Sequence, residues 1–224
     1  MQLPTVISLV ALLSAANAQT TVGFGPAFSL GPTKSWIREA TTTLVLPKVP
    51  SPAKDRLALW PGMGTSSGSL IQALAVAFSD PNANCGARAG QWCTWASTLQ
   101  GGTQLGGKQV PADPGARLTI HYVYNDATNQ YDQTVSIDGT VVSSLFTDIA
   151  SGHAEGWGTA VECQDDACVD YLDTTIILNE ADETFGNTLG LNEATSSGLG
   201  TSDGGKTWAV STISHKAHTF AVTK

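Results

Sequence analysis

The sequence predicts an all-β fold, a sandwich of two packed antiparallel sheets. Three observations carry this. Glycine and proline are plentiful, 23 and 10 of 224 residues. β-branched residues fall in short alternating runs bounded by turn residues. No stretch of the mature chain sustains the 3.6-residue period of an amphipathic helix.

Taken in order, residues 1–18 read as a secretory signal peptide. Val6 to Leu13 form an apolar centre, and Ala16-Asn17-Ala18 supplies a small-residue cleavage site. That run is too short to span a bilayer. The mature chain, 19–224, is expected as one β-sandwich domain of a secreted protein. Gln19 to Lys34 forms an irregular lead-in. Trp36 to Leu46 reads as a strand, with Thr alternating against Leu and Val, and prolines end it at 47–52. Arg56 to Trp60 and Leu70 to Phe78 are the next strands. Ser79 to Gly90 is polar and turn-rich. Trp92 to Leu99 is a strand, and Gly101 to Gly107 a flexible loop. Two prolines in Val110 to Gly115 turn the chain into Arg117 to Tyr124, where Tyr122 and His121 fall on opposite faces. Asp138-Gly139 between alternating runs marks a type I′ hairpin over Tyr131 to Phe146. Gly152 to Gly158 reads as a loop, Trp157 to Cys163 and Tyr171 to Leu178 as strands, and Asn179 to Gly200 as a cover for one end of the sandwich. Trp208 to Ser214 and His215 to Val222 complete the set. No internal repeat is present.

All four cysteines lie in the mature chain. In an oxidising compartment an even count implies two disulfides. Proximity favours Cys85–Cys93 and Cys163–Cys168, each closing a short loop. There is no CxxC, and no histidine at ligand spacing from a cysteine, so no metal or other cofactor is expected. The net charge of −8 and sequence pI near 4.7 argue against nucleic acid and anionic membranes as partners. No N-glycosylation sequon occurs. A monomer acting on an extracellular polymer, peptide or polysaccharide, is the expectation.

Thr201 to Trp208, TSDGGKTW, matches the Asp-box pattern. Asp203 can accept hydrogen bonds from its own turn, the glycines supply positive φ, and Trp208 anchors the hairpin. One copy is a structural device, because a propeller needs repeats.

The stretch with chemical content is Trp60 to Phe78. Gln72 is the single amide among the aliphatic residues and alanines of the Leu70–Phe78 strand. A buried amide needs partners, at a cost of about 1–3 kcal/mol without them. Neighbouring strands can satisfy it, or it can serve a site.

Trp60 to about Ala181 resembles the secreted fungal glutamic peptidases, the eqolisins. The stations that carry the resemblance are Trp60-Pro61-Gly62, Leu70-Ile71-Gln72, Trp92-Cys93-Thr94-Trp95 and Pro114-Gly115-Ala116-Arg117-Leu118. The resemblance implies a concanavalin-A-like β-sandwich, or jelly roll, with Gln72 in the position of the catalytic glutamine. For the glutamate it offers Glu162, in AVECQ, and as a second choice Glu155. Ala154-Glu155-Gly156-Trp157 resembles the family's A-E-W string with one extra glycine. Glu162 is preferred because it lies inside a predicted strand, which can hold it rigidly. Trp60, Trp95 and Tyr122 are the expected substrate-binding residues. The chain differs from the family after Gly62, where Met63-Gly64-Thr65 has no carboxylate, and at Thr94, where the family has an acid.

A glutamate and a glutamine suffice for acid hydrolysis of a peptide bond. The carboxylate serves water as base and then the leaving amine as acid. The amide NH₂ donates to the oxyanion. Two other readings use the same fold. A jelly-roll polysaccharide lyase needs an amide or arginine for the uronate and a Tyr or His for the α-proton, types that Gln72, Arg117, His121, Tyr122 and Tyr124 supply. A lectin-like module would bind sugar without turnover, stacking it on some of the six tryptophans.

Overall fold

The computed structural model describes residues 23–51, 56–148, 150, 152–163 and 167–218; the side chains of 23, 24, 162, 163, 167–170, 217 and 218 lie outside that description. So does the expected signal peptide. Sixteen strands are described: β1 (Gly23–Leu30), β2 (Ile37–Val45), β3 (Arg56–Thr65), β4 (Leu70–Phe78), β5 (Trp92–Gln100), β6 (Thr103–Gly106), β7 (Val110–Ala112), β8 (Arg117–Asn125), β9 (Gln130–Ile137), β10 (Thr140–Asp148), β11 (Ala154–Cys163), β12 (Ala167–Leu178), β13 (Gly190–Asn192), β14 (Ala194–Ser197), β15 (Gly200–Thr201) and β16 (Thr207–His218). One short helix, α1 (Pro81–Cys85), follows β4.

These strands make two packed antiparallel sheets, the jelly-roll sandwich that the sequence predicts. The first sheet runs β13-β1-β11-β3-β4-β5-β6, with β7 also on β5. The second runs β10-β9-β8-β2-β12-β16-β14, with β15 also on β16. Alternation sends one set of side chains between the sheets. Trp92, Trp157, Tyr122, Tyr131, Tyr171, Phe28 and Phe185 are the largest of them. Two tyrosine hydroxyls stitch the layers together. Tyr122 donates to the Pro61 carbonyl at 2.8 Å, and Tyr131 accepts from Ala154 N at 3.0 Å while donating to the Ile37 carbonyl of its own sheet at 2.8 Å. Without such partners these buried hydroxyls would be costly.

The Asp138-Gly139 hairpin forms as expected, both residues at positive φ (49° and 80°). Six expectations need correction. The lead-in expected over Gln19 to Lys34 carries a strand, β1, which pairs with β11 on one side and β13 on the other. The 101–107 loop is a hairpin: Gly101 and Gly102 turn at positive φ and β6 pairs back on β5. The proline-bearing 110–112 segment also pairs with β5, at the sheet edge that tolerates proline. Residues 154–156 are strand, because a register shift between Ala154 and Gly156 lets pairing with β3 continue. Residues 179–200 supply edge strands to both sheets, β13 and β14. The last two expected strands are one, β16, since no breaker separates Ser214 from His215.

The Asp-box turn is structural. Asp203 Oδ1 accepts from Thr207 N at 2.8 Å, Lys206 N at 3.1 Å and Thr201 Oγ1 at 3.0 Å. These hydrogen bonds, the one from Thr207 N foremost, hold its pKa below the ordinary value. Cys85 and Cys93 form the predicted disulfide, which ties α1 to β5. The expected Cys163–Cys168 pair falls on side chains outside the described residues. No helix among the described residues is long and apolar enough to cross a membrane.

Candidate functional site

Strand β4 divides its residues between two environments. Ile71, Ala73, Ala75 and Ala77 enter the core between the sheets. Leu74 and Val76 join a second cluster with Ala58, Trp60, Trp95 and Ala160, on the outer face of the first sheet. Gln72 shares their alternation and so lies on that outer face. Trp60 and Trp95, two of the expected substrate-binding residues, are thus brought to the same face as Gln72. Both are largely covered, and the Trp60 indole N–H has no hydrogen-bond partner among the described residues.

Tyr122 is not brought there. It is 1% exposed between the sheets and donates to Pro61 O. Burial pushes its phenol pKa well above the ordinary value. It can neither line the outer face nor take a proton there. The residue set offered for a lyase is dispersed in the same way. His121 lies on the other sheet, 2.8 Å from Glu39, and Arg117 also belongs to that sheet, on β8. Tyr124 is in the core. Alternation along β8 separates His121 from Tyr122, as expected.

Strand register reveals what surrounds Gln72. One transverse row crosses the whole sheet: Gly190–Ser29–Gly158–Gly62–Gln72–Ser97–Gly106. Four of these seven positions are glycine, so the row is a lane poor in side chains of its own, with Leu70 leaning over Gly62, Trp95 over Gly106 and Ser29 over Gly190. Beside it runs a row that includes Ala27, Ala160 and Trp60, with Leu74 opposite Trp95. On its other side lie Gly156, Gly64, Leu70 and Leu99. Six strand spacings make the lane about 29 Å long, room for about eight residues of extended peptide. Gly62 and Gly158 are sterically required. A Cβ on Gly62 would lie 2.8 Å from Ile71 O and 3.0 Å from Gln72 Cβ, and one on Gly158 would lie 2.9 Å from Phe28 O.

Gln72 is 4% exposed, and its Nε2 donates to Gln104 Oε1 at 3.5 Å. Thr94, where the resembled family has an acid, is instead a buried hydroxyl that donates to Leu74 O at 2.9 Å.

Both candidate glutamates are on β11. Glu162 pairs with Ala58, four residues along β3 from the Gly62 that pairs with Gln72. Its backbone is therefore about 13 Å along the strands and about 10 Å across them from Gln72. Its side chain lies outside the described residues. Glu155 sits at the bulge opposite Gly64, about 7 Å along and about 10 Å across, and is half-buried. The bulge accounts for the extra glycine of Ala154-Glu155-Gly156-Trp157. Ala154 and Trp157 both face the core, and the added residue keeps both inward. Gly31 packs here too closely for a side chain, since its Cβ would lie 2.5 Å from Gly156 Cα. Thr33 N donates to Glu155 O at 2.8 Å. The 31–34 segment is anchored in turn by Asp182, which accepts from Thr33 Oγ1 at 3.1 Å and Lys34 N at 2.9 Å.

Among solved structures, scytalido-glutamic peptidase with a transition state analog inhibitor is similar over 85% of this chain and 99% of that one, at 13% identity and a TM-score of 0.56. SCP-B, a member of the eqolisin family of peptidases solved with the tripeptide Ala-Ile-His, matches over the same shares at 13% identity and a TM-score of 0.52. The chain has the eqolisin fold. No family model and no curated protein matches it. The likeness that these comparisons find is one of fold, over 85% of this chain.

Neither the glycine lane nor Ser29, Ser97, Gln104 and Asp182 stood out in the sequence. Glycines inside two apolar strands, Gly62 and Gly158, were the available signal, since such glycines mark a close backbone or ligand approach. Among the described residues, no group of three or more His, Cys, Asp and Glu side chains could hold a metal ion.

Proposed function

We propose that the protein is a secreted, eqolisin-like acid hydrolase that cleaves peptide bonds with Gln72 and a glutamate of β11. The observation that carries this reading is the lane. An extended chain laid across the strands would meet a floor of glycine with one amide, Gln72, part-way along it. A peptide suits that floor because its backbone needs close approach and a few hydrogen bonds rather than deep pockets.

Of the two glutamates, Glu155 supports the reading better, because the register sets it nearer Gln72 and only side-chain-free positions of β3 and β11 intervene. The carboxylate takes a proton from water as the water oxygen bonds to the scissile carbonyl carbon. The Gln72 N–H donates to the resulting oxyanion. The C–N bond then breaks, and the carboxyl returns the proton to the departing amine. Trp60 and Trp95 border the lane and would contact substrate side chains.

The test is hydrolysis of a denatured protein substrate at pH 2–5 in the presence of pepstatin-type and metal-chelating inhibitors. Cleavage should persist with both inhibitors and fall at least about 100-fold in Gln72→Ala and in Glu155→Gln. Full activity in both variants would overturn the reading. Loss in Glu162→Gln with Glu155→Gln active would move the base to Glu162.

A further inference from the structure

We infer that Gln104 is a positioning residue that fixes which end of the Gln72 amide faces the lane; this rests on the peptidase reading above. Gln104 is on β6, an edge strand whose four residues are all exposed. Yet its side chain reaches two buried polar groups of the sheet, Gln72 and Ser97.

The hydrogen bonds form a directed chain. Ser97 Oγ donates to the Leu105 carbonyl at 2.5 Å. A carbonyl has no hydrogen to give, so the serine hydroxyl must be the donor there. Its lone pair is then turned to Gln104, whose Nε2 donates to it. That interaction commits the other end of Gln104, Oε1, to act as acceptor, and Gln72 Nε2 donates to it at 3.5 Å. One backbone carbonyl thus sets the orientation of three side chains in sequence.

Without the chain, the Gln72 amide could rotate by half a turn and present Oε1 where a donor is needed. With it, one N–H of Gln72 is held by Gln104 and the NH₂ end is set for the reaction. The last link is long, which suits a group that must shift slightly when an oxyanion forms nearby.

The variants discriminate by hydrogen-bonding type. Gln104→Ala removes the acceptor and should lower kcat about 5- to 50-fold, part of what losing an oxyanion donor outright costs, with KM within about two-fold. Gln104→Glu supplies an acceptor and should retain kcat within about three-fold. Gln104→Lys offers only donors and should lower kcat at least as far as alanine does. A role confined to holding β6 in place would move KM or stability in all three alike.

A second readout does not need turnover. The side-chain NH₂ resonances of Gln72, assigned by their loss in Gln72→Ala, should shift in Gln104→Ala and in Ser97→Ala and stay near their wild-type positions in Gln104→Glu. Unmoved resonances in Gln104→Ala, or kcat unchanged in that variant, would overturn the proposal. Wild-type protein without peptide cleavage would instead defeat the peptidase reading, and the resonances would still decide the role of Gln104.

Discussion

Asp182 ties the 33–34 segment to the 182–184 turn, and removing its charge should be felt in both. Its Oδ2 accepts from Thr33 Oγ1 at 3.1 Å and Lys34 N at 2.9 Å; its Oδ1 accepts from Thr184 N at 3.0 Å and Thr184 Oγ1 at 2.6 Å. Burial raises its pKa, but the hydrogen bonds from Lys34, Thr184 and Thr33 outweigh that and bring it to about 2. An unfolded aspartate titrates near pKa ~3.9. The difference corresponds to roughly 2.6 kcal/mol at most, and solvent screening leaves about 1–2 kcal/mol.

The folded pKa is the lower one, so this contribution is complete above about pH 5 and fades as pH falls from about 4 through 2. Asp182→Asn keeps the shape but sets an NH₂ against donors on one side. It should lower stability at pH 7 by about 1–3 kcal/mol. Urea unfolding followed by tryptophan fluorescence at pH 7, 5, 3 and 2 measures this. The gap between wild type and Asp182→Asn should hold from pH 7 to 5 and narrow by pH 2. Equal stability at pH 7, or a gap that does not narrow, would refute the reasoning. Because Thr33 N also holds Glu155 O, cleavage by Asp182→Asn should fall even where the variant is fully folded.

Two further outcomes follow from the geometry. Gly62→Val should abolish cleavage and cost about 1–3 kcal/mol in urea unfolding, because the new side chain meets Ile71 O and Gln72 in a rigid sheet; a fully active variant would show that the lane is not the substrate path. Reducing Cys85–Cys93, which are 8 residues apart, should lower stability by about 2 kcal/mol on loop-closure grounds; an unchanged urea midpoint with dithiothreitol would show that α1 is held by packing alone.

The fold class was legible in the sequence because sheet alternation is a local property. A period of two, turn residues between runs and Asp138-Gly139 each leave a mark within ten residues. The disulfide Cys85–Cys93 was legible for the same reason, as was the Asp-box turn. Gln72 stood out because a lone amide in an apolar strand is a local anomaly. Tyr122 was misjudged, since a tyrosine in an alternating strand has the same pattern whether its face is the core or the groove. Only the packing of the second sheet decided it.

The lane was invisible for a deeper reason. Its seven residues come from seven strands spread from Ser29 to Gly190, and strand register, not sequence distance, makes them neighbours. A slip of one residue in any strand would send its member of the row to the other face. The extra glycine beside Glu155 likewise looked like a departure from pattern until pairing with β3 turned it into a bulge. The sequence by itself determined which strands form and which faces are apolar, because side chains alternate along each strand. Only the tertiary structure decided that Gln72 lies in a glycine-floored lane under Gln104, because that depends on how strands far apart in the chain align their hydrogen bonds.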